Sequence, residues 1–587
     1  MLKKWQVKKD SLKESEISNL QKKLSESGKD CGLTALRILF NRGLKDEKSI
    51  KEFFDGDYES GISDPFLFAD MDKAVERIVR AKEKKEKIAI FGDYDADGVT
   101  ATALVFEALQ ELGFEEVLPY IPDRQFEGYG MNNEAVGFLQ KEGAKLIISV
   151  DCGITNVEEI AKARKAGMDV IITDHHHIPP ELPQALATIN PRLENSSHGA
   201  SNLAGVGVAF KLVQALWKKI KPAEIEQVKW LLDLVAIGTI ADCVPLLGEN
   251  RILVKYGLIV LSKTRRAGLL EMFKVGRIAI NERSTPDTQK VAFQISPRIN
   301  AAGRMDHASV SFKLIVEKDR VKARALALEV ESANQNRQKV TGEIVREIRI
   351  LAENSFKDKK LIFATNVNWR VGILGLLAGK IADEFGKPTA IFQKQEEEFI
   401  GSLRSIAQVN IIEALEKCSK LLIKFGGHAQ AAGARVTHDK MEKFYEKLSK
   451  IIEKELEGKD ITPEIEIDLE ISLEDISWEL MAEIKKMEPF GEGNEEPVFL
   501  AKNILVENAK IVGNGNKHIK LQLRSSNNGP KIFDAIGFGL GEKFSDLKSS
   551  DSVDIVFNLQ EDEWNGSKKM QLKLVDLRLR PQQQKVA

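Results

Sequence analysis

The sequence is poor in cysteine. Its 587 residues include only Cys31, Cys152, Cys243 and Cys418, and no two of them form a C-x-x-C pair. This number and spacing argue against a disulfide framework and a zinc ribbon, and they suit a reducing compartment. The first residues, MLKKWQ, lack the apolar core of a secretory signal. We therefore expect a cytoplasmic protein.

Long apolar runs and an excess of either charge are also missing. The most apolar longer stretch, Leu231 to Leu247, is interrupted by Asp233 and Asp242 and is too short to cross a bilayer. The 86 Lys and Arg residues nearly balance the 88 Asp and Glu residues, which gives a formal net charge of −2. We expect no membrane association, and any binding of nucleic acid must depend on local basic patches.

Periodicity divides the chain into an ordered series of segments. Apolar runs at 88–91, 117–121, 146–150 and 170–173 alternate with helix-like stretches, which predicts a parallel sheet with crossover helices. The stretch 318–354 contains no Pro and a single Gly, which predicts one long helix. Alternating segments after position 460 predict a small antiparallel β domain of barrel type. The predicted boundaries are 1–70 for a helical extension, 71–315 for an α/β domain, 316–357 for a connecting helix, 358–458 for a smaller α/β domain and 459–587 for the β domain.

Three of the predicted strands end in acidic residues. The segment Asp93 to Gly98 follows the first strand, Asp151 follows the strand ending at 150, and Asp174-His175-His176 follows the strand ending at 173. In a parallel sheet, ligands bind beyond the carboxyl ends of the strands, so these side chains are expected to meet at one edge. A metal-binding hydrolytic site is the favoured interpretation. Each aspartate taken singly is also typical of a helix N-cap.

Two common alternatives for the segment from Asp93 to Gly98 fail. An EF-hand calcium loop starting at Asp93 needs a preceding helix and a Glu at its twelfth position, where the sequence has Leu104. A dinucleotide-binding loop needs G-x-G-x-x-G, which the sequence lacks. Carboxylates combined with imidazole suit Mn²⁺, or Mg²⁺ where carboxylates dominate. There are enough candidate ligands for two ions, namely Asp95, Asp97, Asp151, His175 and Asp242.

Two such ions, about 3.5–4 Å apart, can clamp a phosphoryl group and generate a hydroxide nucleophile. We predict that Asp151 bridges them and that Asp174 orients the neighbouring ligand histidine. Farther along the chain, Gly426-Gly427-His428 is either a tight turn or a phosphate-binding segment. The segment Gly401 to Ser405 is either a polar hairpin turn or a source of a hydroxyl and a guanidinium for another phosphate.

Ordered motifs across about residues 65 to 510 resemble those of the RecJ family of single-strand-specific 5′→3′ DNA exonucleases, within the DHH phosphoesterase superfamily. The segments similar to the four phosphoesterase motifs are Gly92–Gly98, Ser149–Gly153, Asp174–His176 and Gly238–Asp242. The segments Ser296–Met305, Gly426–His428 and Glu488–Asn494 are similar to RecJ sequences in particular.

The resemblance implies a DHH domain, a connecting helix, a DHH-associated domain and an OB-fold. It also implies release of 5′-mononucleotides from single-stranded DNA with Mn²⁺ or Mg²⁺, in DNA repair and recombination. The five candidate ligands carry over by motif match, with Asp93, Asp174 and His176 as further catalytic residues. The substrate-binding residues implied in the same way are His176, Asn300, Arg304, Arg370, Ser402, Arg404, Gly426, Gly427 and His428. At Arg370 the family usually has His, and Arg keeps a phosphate donor without being a neutral acceptor.

We accordingly expect a monomer that binds single-stranded DNA. Its expected protein partners are a helicase and a single-strand-binding protein. In the β domain, basic residues such as Lys517, His518 and Lys520 could follow a strand backbone, as could Lys568 and Lys569. Aromatic residues for stacking are few there, namely Phe533, Phe538 and Trp564. One alternative function is a DHH phosphodiesterase acting on short oligonucleotides or cyclic dinucleotides. Another is a catalytically inactive DNA-binding relative, which the intact acidic set argues against.

Overall fold

The computed structural model describes residues 3–9, 14–26, 31–193, 200–280, 285–513, 515–525, 531–564 and 567–580. The chain forms two compact units. The first is Tyr58–Thr462, and the second joins the residues before Tyr58 to those after Thr462. Among the described residues, no helix combines the length and the apolar character needed to cross a membrane.

The chain begins with a short strand and three helices that belong to the second unit. They are β1 (Lys4–Val7), α1 (Glu14–Glu26), α2 (Leu33–Asn41) and α3 (Glu47–Asp55). The helix α3 starts at a capping box in which the Asp46 carboxylate accepts a hydrogen bond from the backbone N–H of Ser49.

The first unit contains a parallel sheet whose strand order is β3-β2-β4-β5-β6. Its strands are β2 (Ile88–Gly92), β3 (Val117–Tyr120), β4 (Leu146–Val150), β5 (Asp169–Thr173) and β6 (Ala187–Ile189). Its helices are α4 (Tyr58–Gly61), α5 (Met71–Glu83), α6 (Ala96–Glu111), α7 (Asn133–Lys141) and α8 (Val157–Lys165). Ile88 and Ile90 pack into one core cluster and Ala89 and Phe91 into another. Both faces are therefore covered, as apolar parallel strands require.

A helical layer follows this sheet in the chain. It consists of α9 (Gly205–Ile220), α10 (Leu232–Ala241), α11 (Gly248–Ser262), α12 (Ala267–Val275), α13 (Thr288–Lys290), α14 (Ser296–Met305) and α15 (Ser309–Val316). The residues of α10 from Leu232 to Ile240 are all buried, because this helix lies against α6, α9 and α11. The helix α10 is thus the buried centre of the helical layer.

The long helix predicted at 318–354 is confirmed as α16 (Arg320–Asn354). Asp319 caps it by accepting hydrogen bonds from the backbone N–H groups of Val321 and Lys322. Buried residues such as Ala327 and Ile348 recur along one side of the helix. They pack into the core of the sheet domain at one end and the core of the following domain at the other.

The domain after α16 is built on a mixed sheet with strand order β10-β11-β9-β8-β7. Its strands are β7 (Ile362–Asn366), β8 (Thr389–Lys394), β9 (Glu398–Arg404), β10 (Lys424–His428) and β11 (Ala431–Thr437). Its helices are α17 (Val371–Phe385), α18 (Ile411–Lys417) and α19 (Met441–Glu455). Since β10 lies at the edge of the sheet, one side of its backbone is not paired within the sheet.

The rest of the second unit is a closed β-barrel. It contains β12 (Glu464–Ile467), β13 (Leu469–Glu470), α20 (Trp478–Lys486), β14 (Phe499–Val512), β15 (His518–Ser525), β16 (Ile532–Gly537), β17 (Ser552–Trp564) and β18 (Ser567–Leu579). Five strands follow each other in the order β14-β15-β16-β18-β17, and β17 pairs again with β14. The predicted fold class is confirmed, although the pairs β13–β14 and β16–β18 are parallel rather than antiparallel.

The N-terminal 70 residues, predicted as a helical extension, are divided between the two units at Tyr58. Leu36 and Ile50 pack into the core of the barrel unit, whereas Tyr58 and Phe68 pack into the core of the sheet domain. The strand β1 was not predicted at all, because it is stabilised by pairing with β12, with Lys4 opposite Glu464. Because β1 and β12 are far apart in sequence, the residues around β1 alone do not predict this pairing.

Candidate metal centre and substrate cleft

Neighbouring strands bring the acidic residues together. Asp93 follows β2, Asp151 follows β4, and the segment Asp174–His176 follows β5. These three strands are adjacent and parallel, so their carboxyl ends lie at one edge of the sheet. The helix α6, which begins just after β2, adds Asp95 and Asp97, and the C-terminal end of α10 adds Asp242.

Three groups of side chains have potential ligand atoms within 4.8 Å of one another. They are Asp151 with His175 and His176, Asp97 with His175 and Asp242, and Asp93 with Asp95 and Asp151. The Nε2 atom of His175 lies 3.2 Å from Asp151 Oδ1 and 3.6 Å from Asp242 Oδ2. The structure thus collects all five predicted ligands and places Asp93 among them. Their role as ligands remains a proposal.

The start of α6 holds two of these carboxylates by backbone hydrogen bonds. Asp95 is the N-cap, and its Oδ1 accepts from the N–H groups of Asp97 (2.9 Å) and Gly98 (3.1 Å). The Asp97 carboxylate accepts from the N–H groups of Gly205 (2.7 Å) and Val206 (2.9 Å). These last two groups open α9, where exposed amide dipoles stabilise a negative charge. Both carboxylates are therefore fixed in direction.

Two glycines make room for the carboxylates. A Cβ atom on Gly205 would lie 2.3 Å from Asp151 Oδ1, and a Cβ on Gly238 would lie 2.6 Å from Asp97 Oδ1. Asp151 itself has a φ of 60°, a left-handed conformation that is uncommon for residues other than glycine. The packing around Asp151 is thus tight enough to hold its backbone in an unfavourable conformation.

The carboxylates of the cluster carry like charges and repel one another. Burial and the neighbouring carboxylates raise the pKa of Asp97 to about 7 and that of Asp242 to about 9. The same two causes raise the pKa of Asp93 and Asp151 well above the ordinary value. Burial and the charge of His176 lower the pKa of His175 to about 3, so its imidazole is neutral and can act as a ligand. A cation in this cluster would relieve the repulsion.

The residues present fit a divalent metal ion. Within the described part of the chain, three buried polar atoms of this cluster make no hydrogen bond, namely Asp93 Oδ1, Asp151 Oδ1 and His175 Nε2. Buried polar atoms are almost always satisfied, so three such atoms in one cluster need a partner. Carboxylate oxygens with a neutral imidazole are the donor set of Mn²⁺, and the oxygens alone suit Mg²⁺.

Asp174 has a different place from the one predicted for it. Its carboxylate accepts from the backbone N–H groups of Ile154, His175 and His176, and from Nδ1 of His176 at 2.7 Å. Burial opposes ionisation, but these hydrogen bonds hold its pKa below the ordinary value. The imidazole that Asp174 orients is therefore that of His176 and not that of the ligand candidate His175.

A cavity of about 520 Å³ in the first unit is lined by four basic side chains and one acidic side chain, that of Asp383. The sheet domain contributes Arg124 and Arg304, and the following domain contributes Lys380, Ser402 and Arg404. Burial and the charge of Arg124 lower the pKa of Arg304 to about 9. The guanidinium groups thus destabilise one another in the absence of an anion, and a phosphate is the natural counter-charge.

The segments that could have been turns are strands. Ser402 and Arg404 lie in β9, where Arg404 Nη1 donates to Ser402 Oγ at 3.0 Å, so the hairpin-turn alternative is wrong. Gly426, Gly427 and His428 lie in the edge strand β10, so the tight-turn alternative is also wrong. The ring of His428 lies 5.1 Å, centroid to centroid, from that of His177 in the sheet domain.

Two predicted substrate-binding residues, Asn300 and Arg370, make hydrogen bonds within the protein. The Oδ1 atom of Asn300 accepts from the backbone N–H of Ala96 at 2.8 Å, which ties α14 to the start of α6. Arg370 donates from Nη1 to the carbonyl oxygen of Met305 at 3.1 Å, and it is not among the residues that line the cavity. Their roles in substrate binding remain predictions.

The sequence did not single out two further residues at this edge of the sheet. Arg124 lies over the ring of Tyr94, 4.6 Å from its centroid, and lines the cavity. Tyr129 contacts His176 and the backbone of Asp151. Both belong to the segment D-R-Q-F-E-G-Y-G between β3 and α7. Its two glycines and its single arginine are also typical of an ordinary surface loop, so the only available signal was its position after a strand.

Comparison with known proteins agrees with this architecture. Family models match residues 87–239 as the DHH family N-terminal domain, 358–454 as the DHHA1 domain and 467–576 as the RecJ OB domain. The parallel sheet, its acidic strand ends and the DHHA1 domain define a protein of the DHH family.

Comparison over the full chain identifies a particular family within this class. The single-stranded-DNA-specific exonuclease RecJ of Bacillus subtilis is 38% identical over 544 residues, which are 92% of this chain and 67% of that protein. Crystal structures of Thermus thermophilus RecJ in complex with Mn²⁺ and with Mg²⁺ match 99% of this chain with TM-scores of 0.82 and 0.77. They are 27% and 26% identical to it, and 80% and 79% of their own chains are covered. The chain belongs to the RecJ family, as its motifs predicted.

Proposed function

We propose that this protein is a metal-dependent exonuclease that degrades single-stranded DNA from its 5′ end and releases 5′-mononucleotides. One observation carries the proposal: a cluster of carboxylates and imidazoles lies in the same unit as an arginine-lined cavity. The first suits catalytic metal ions and the second suits a phosphate. Its relatives are named single-stranded-DNA-specific exonucleases, and this name favours a long single strand over a cyclic dinucleotide.

The metal ions are Mn²⁺ or Mg²⁺, as in the two structures of the Thermus thermophilus relative. Two such ions, when bound, lower the pKa of the attacking water and stabilise the charge that develops on the scissile phosphate. Asp151 and His175 each belong to two of the three ligand groups. A carboxylate has two oxygens and an imidazole offers one ligand nitrogen, so Asp151 would be the residue able to serve both ions. The residues that we assign to the two ions are Asp93, Asp95, Asp97, Asp151, His175 and Asp242.

His176 is assigned to the scissile phosphate. Burial favours its neutral form, but the hydrogen bond to Asp174 outweighs this effect and raises the pKa of His176. Because Nδ1 donates to the Asp174 carboxylate, the other ring nitrogen, Nε2, is the atom left for the substrate. A protonated Nε2 can donate a hydrogen bond to a non-bridging phosphate oxygen.

The arginine-lined cavity is assigned to the terminal 5′ phosphate. Arg124, Arg304 and Arg404 offer charged N–H donors, and Ser402 adds a hydroxyl. A chain end that carries such a phosphate would be held beside the metal centre, which suits removal of one nucleotide at a time. The unpaired side of β10, with His428, is assigned to the phosphates that follow.

The barrel is assigned to the strand that enters the enzyme. Phe538 is 59% exposed and packs edge-to-face on His518, with ring centroids 5.3 Å apart, and such a pair can stack with bases. Lys517 and Lys520 neighbour this pair in sequence. Phe533, by contrast, is a core residue of the barrel, so it is not available for stacking. The side chain of Trp564 lies outside the described residues.

Membership of the RecJ family also supports a proposal about the cellular setting. We propose a monomeric enzyme of the cytoplasm that acts in DNA repair and recombination, supplied with single strands by a helicase and assisted by a single-strand-binding protein. Digestion of single strands labelled at either end, with Mn²⁺, Mg²⁺ or a chelator, tests the activity. Early release of the 5′ label as a mononucleotide is expected, and cleavage of dinucleotides alone would contradict the proposal.

A further inference from the structure

Tyr129 contacts both Asp151, at the end of β4, and His176, after the end of β5. Its hydroxyl donates to the carbonyl oxygen of Asp151 at 3.3 Å and lies 3.1 Å from Nδ1 of His176. Its ring also packs edge-to-face on the His176 ring, at a centroid distance of 5.5 Å. One side chain thus contacts the backbone of the candidate bridging ligand and the imidazole assigned to the phosphate.

The direction of these hydrogen bonds follows from the groups around them. The Asp174 carboxylate already accepts from three backbone N–H groups, so it also accepts from Nδ1 of His176. Nδ1 then has no lone pair for the Tyr129 hydroxyl. A carbonyl oxygen can only accept, so the Tyr129 hydroxyl donates its hydrogen to Asp151.

The loop that carries Tyr129 is held in place independently of the metal centre. The Glu127 carboxylate accepts from the Tyr120 hydroxyl at 2.7 Å, from the backbone N–H of Asp123 at 2.6 Å and from the Asn132 side chain at 2.9 Å. On the other side, the Asn156 side chain both accepts from and donates to the backbone of Met131. The Tyr129 hydroxyl is therefore presented by a rigid support.

The carbonyl that Tyr129 binds belongs to a strained residue. Asp151 has a φ of 60°, and such a conformation persists only where the surroundings determine it. The backbone N–H of Asp151 is held by the carbonyl oxygen of Thr173 at 3.0 Å. The bond from Tyr129 holds the carbonyl at the other end of the residue, so both of its peptide groups are fixed.

We propose that Tyr129 is a positioning residue that keeps the Asp151 carboxylate and the His176 imidazole in a single relative arrangement. Three contacts join the ends of β5 and β4: His176 Nδ1 donates to Asp174, the Tyr129 ring packs on the His176 ring, and the Tyr129 hydroxyl donates to the carbonyl oxygen of Asp151. None of the proposed ligand atoms takes part in them. The inference rests on the proposed function, because it assigns Asp151 to the metal ions and His176 to the phosphate. It predicts that metal affinity depends on a hydroxyl that does not touch the metal.

The test compares Tyr129→Phe with Tyr120→Phe. The first substitution removes only the hydroxyl at the metal centre, and the second removes the hydroxyl at the end of β3 that bonds to Glu127 of the same loop. Because Tyr129 is 44% exposed, the Phe variant is expected to fold normally. Binding of Mn²⁺ without DNA is followed by electron paramagnetic resonance of the free ion, and kcat and KM are measured on a 5′-phosphorylated oligonucleotide.

For Tyr129→Phe we expect about tenfold weaker Mn²⁺ binding and about tenfold lower kcat, the usual size of effect for a residue that supports a metal ligand, with KM for DNA nearly unchanged. Tyr120→Phe should remain within about twofold of the parent enzyme in all three quantities, because Glu127 keeps two other donors. Unchanged Mn²⁺ affinity in Tyr129→Phe, or an equal loss in Tyr120→Phe, would overturn the proposal. A parent enzyme that binds Mn²⁺ but does not cleave DNA contradicts the proposed function instead, and the binding measurement then still decides the role of Tyr129.

Discussion

Removing the guanidinium of Arg404 should weaken the preference of the enzyme for a strand with a 5′ phosphate. Arg404 lines the arginine-rich cavity together with Arg124 and Arg304. Burial and the charge of Arg124 lower the pKa of Arg404, so the cavity without an anion carries cations that repel one another. A terminal phosphate would compensate them, whereas a terminal hydroxyl could not.

The size of the effect follows from the donors that Arg404 has available. Its Nη1 is already used by Ser402 Oγ at 3.0 Å and by the carbonyl oxygen of Leu403 at 2.9 Å, which leaves Nε and Nη2 for a phosphate. A hydrogen bond to a charged group contributes about 1.5–3 kcal/mol. If Arg404→Ala removes about 2 kcal/mol of binding, kcat/KM on a 5′-phosphorylated strand should fall about 30-fold, at 1.4 kcal/mol for each factor of ten.

The assay measures kcat/KM for one oligonucleotide with a 5′ phosphate and with a 5′ hydroxyl. The hydroxyl-ended strand should lose less than about threefold in Arg404→Ala, because the residue then has no terminal phosphate to bind. Arg435→Ala is the matched control, since Arg435 lies on the neighbouring strand β11, pairs with Glu398 and does not line the cavity. Equal losses on both substrates would refute the assignment of the cavity to the 5′ phosphate.

Three other predictions test the metal centre and the barrel. Asp151→Ala should lower activity by more than about 100-fold, which is beyond the range for residues that only support a metal ligand. Circular dichroism should show an intact fold, and near-normal activity would contradict the assignment of Asp151 as a ligand. Without metal, stability should fall as the pH rises from the ordinary aspartate pKa of 3.8 to the folded-state pKa of Asp97 (about 7) and of Asp242 (about 9), because the folded protein binds more protons than the unfolded chain over this interval. Thermal melts in chelator should show this fall, and added Mn²⁺ should stabilise more at pH 8.5 than at pH 6. Arg42→Met removes the donor that Asp468 and Asn494 share, but Asp468 keeps its bonds to Lys8 and to the backbone N–H of Val498. It should lower the free energy of unfolding of the barrel unit by about 2 kcal/mol in denaturant titrations, whereas the partly exposed control Arg524→Met should cost less than about 1 kcal/mol.

The sequence alone was enough to predict the parallel sheet and the acidic residues at its edge, because both depend on local patterns. The strands β2, β4 and β5 are runs of apolar residues that are buried on both faces, and such runs are recognisable between amphipathic helices. Once the sheet is parallel, its topology alone places Asp93, Asp151 and His175 at one edge. The same reasoning found α16 from the absence of residues that break helices.

Contacts between distant segments could not be predicted in this way. The pairing of β1 with β12 and the contact of His177 with His428 join residues separated by hundreds of positions. Tyr129 was missed for a related reason, since its partners Asp151 and His176 come from two other strand ends. The strand at Gly426–His428 was hidden because glycines favour turns in a local analysis, whereas pairing with β11 determines the conformation here.

The spacing of aspartates in the segment Asp93 to Gly98 shows that helix capping and metal binding do not exclude each other. Asp95 uses Oδ1 to cap α6, and its other carboxylate oxygen is still available as a ligand. The cap fixes the side-chain rotamer before any ion arrives, so metal binding loses less conformational entropy than it would with a mobile carboxylate. Asp97, in the first turn of the helix, is fixed in the same way by the N-terminus of α9. Alternate aspartates at the end of a buried strand can therefore form a preorganised site for two ions. A single aspartate at the start of a helix would not have indicated such a site.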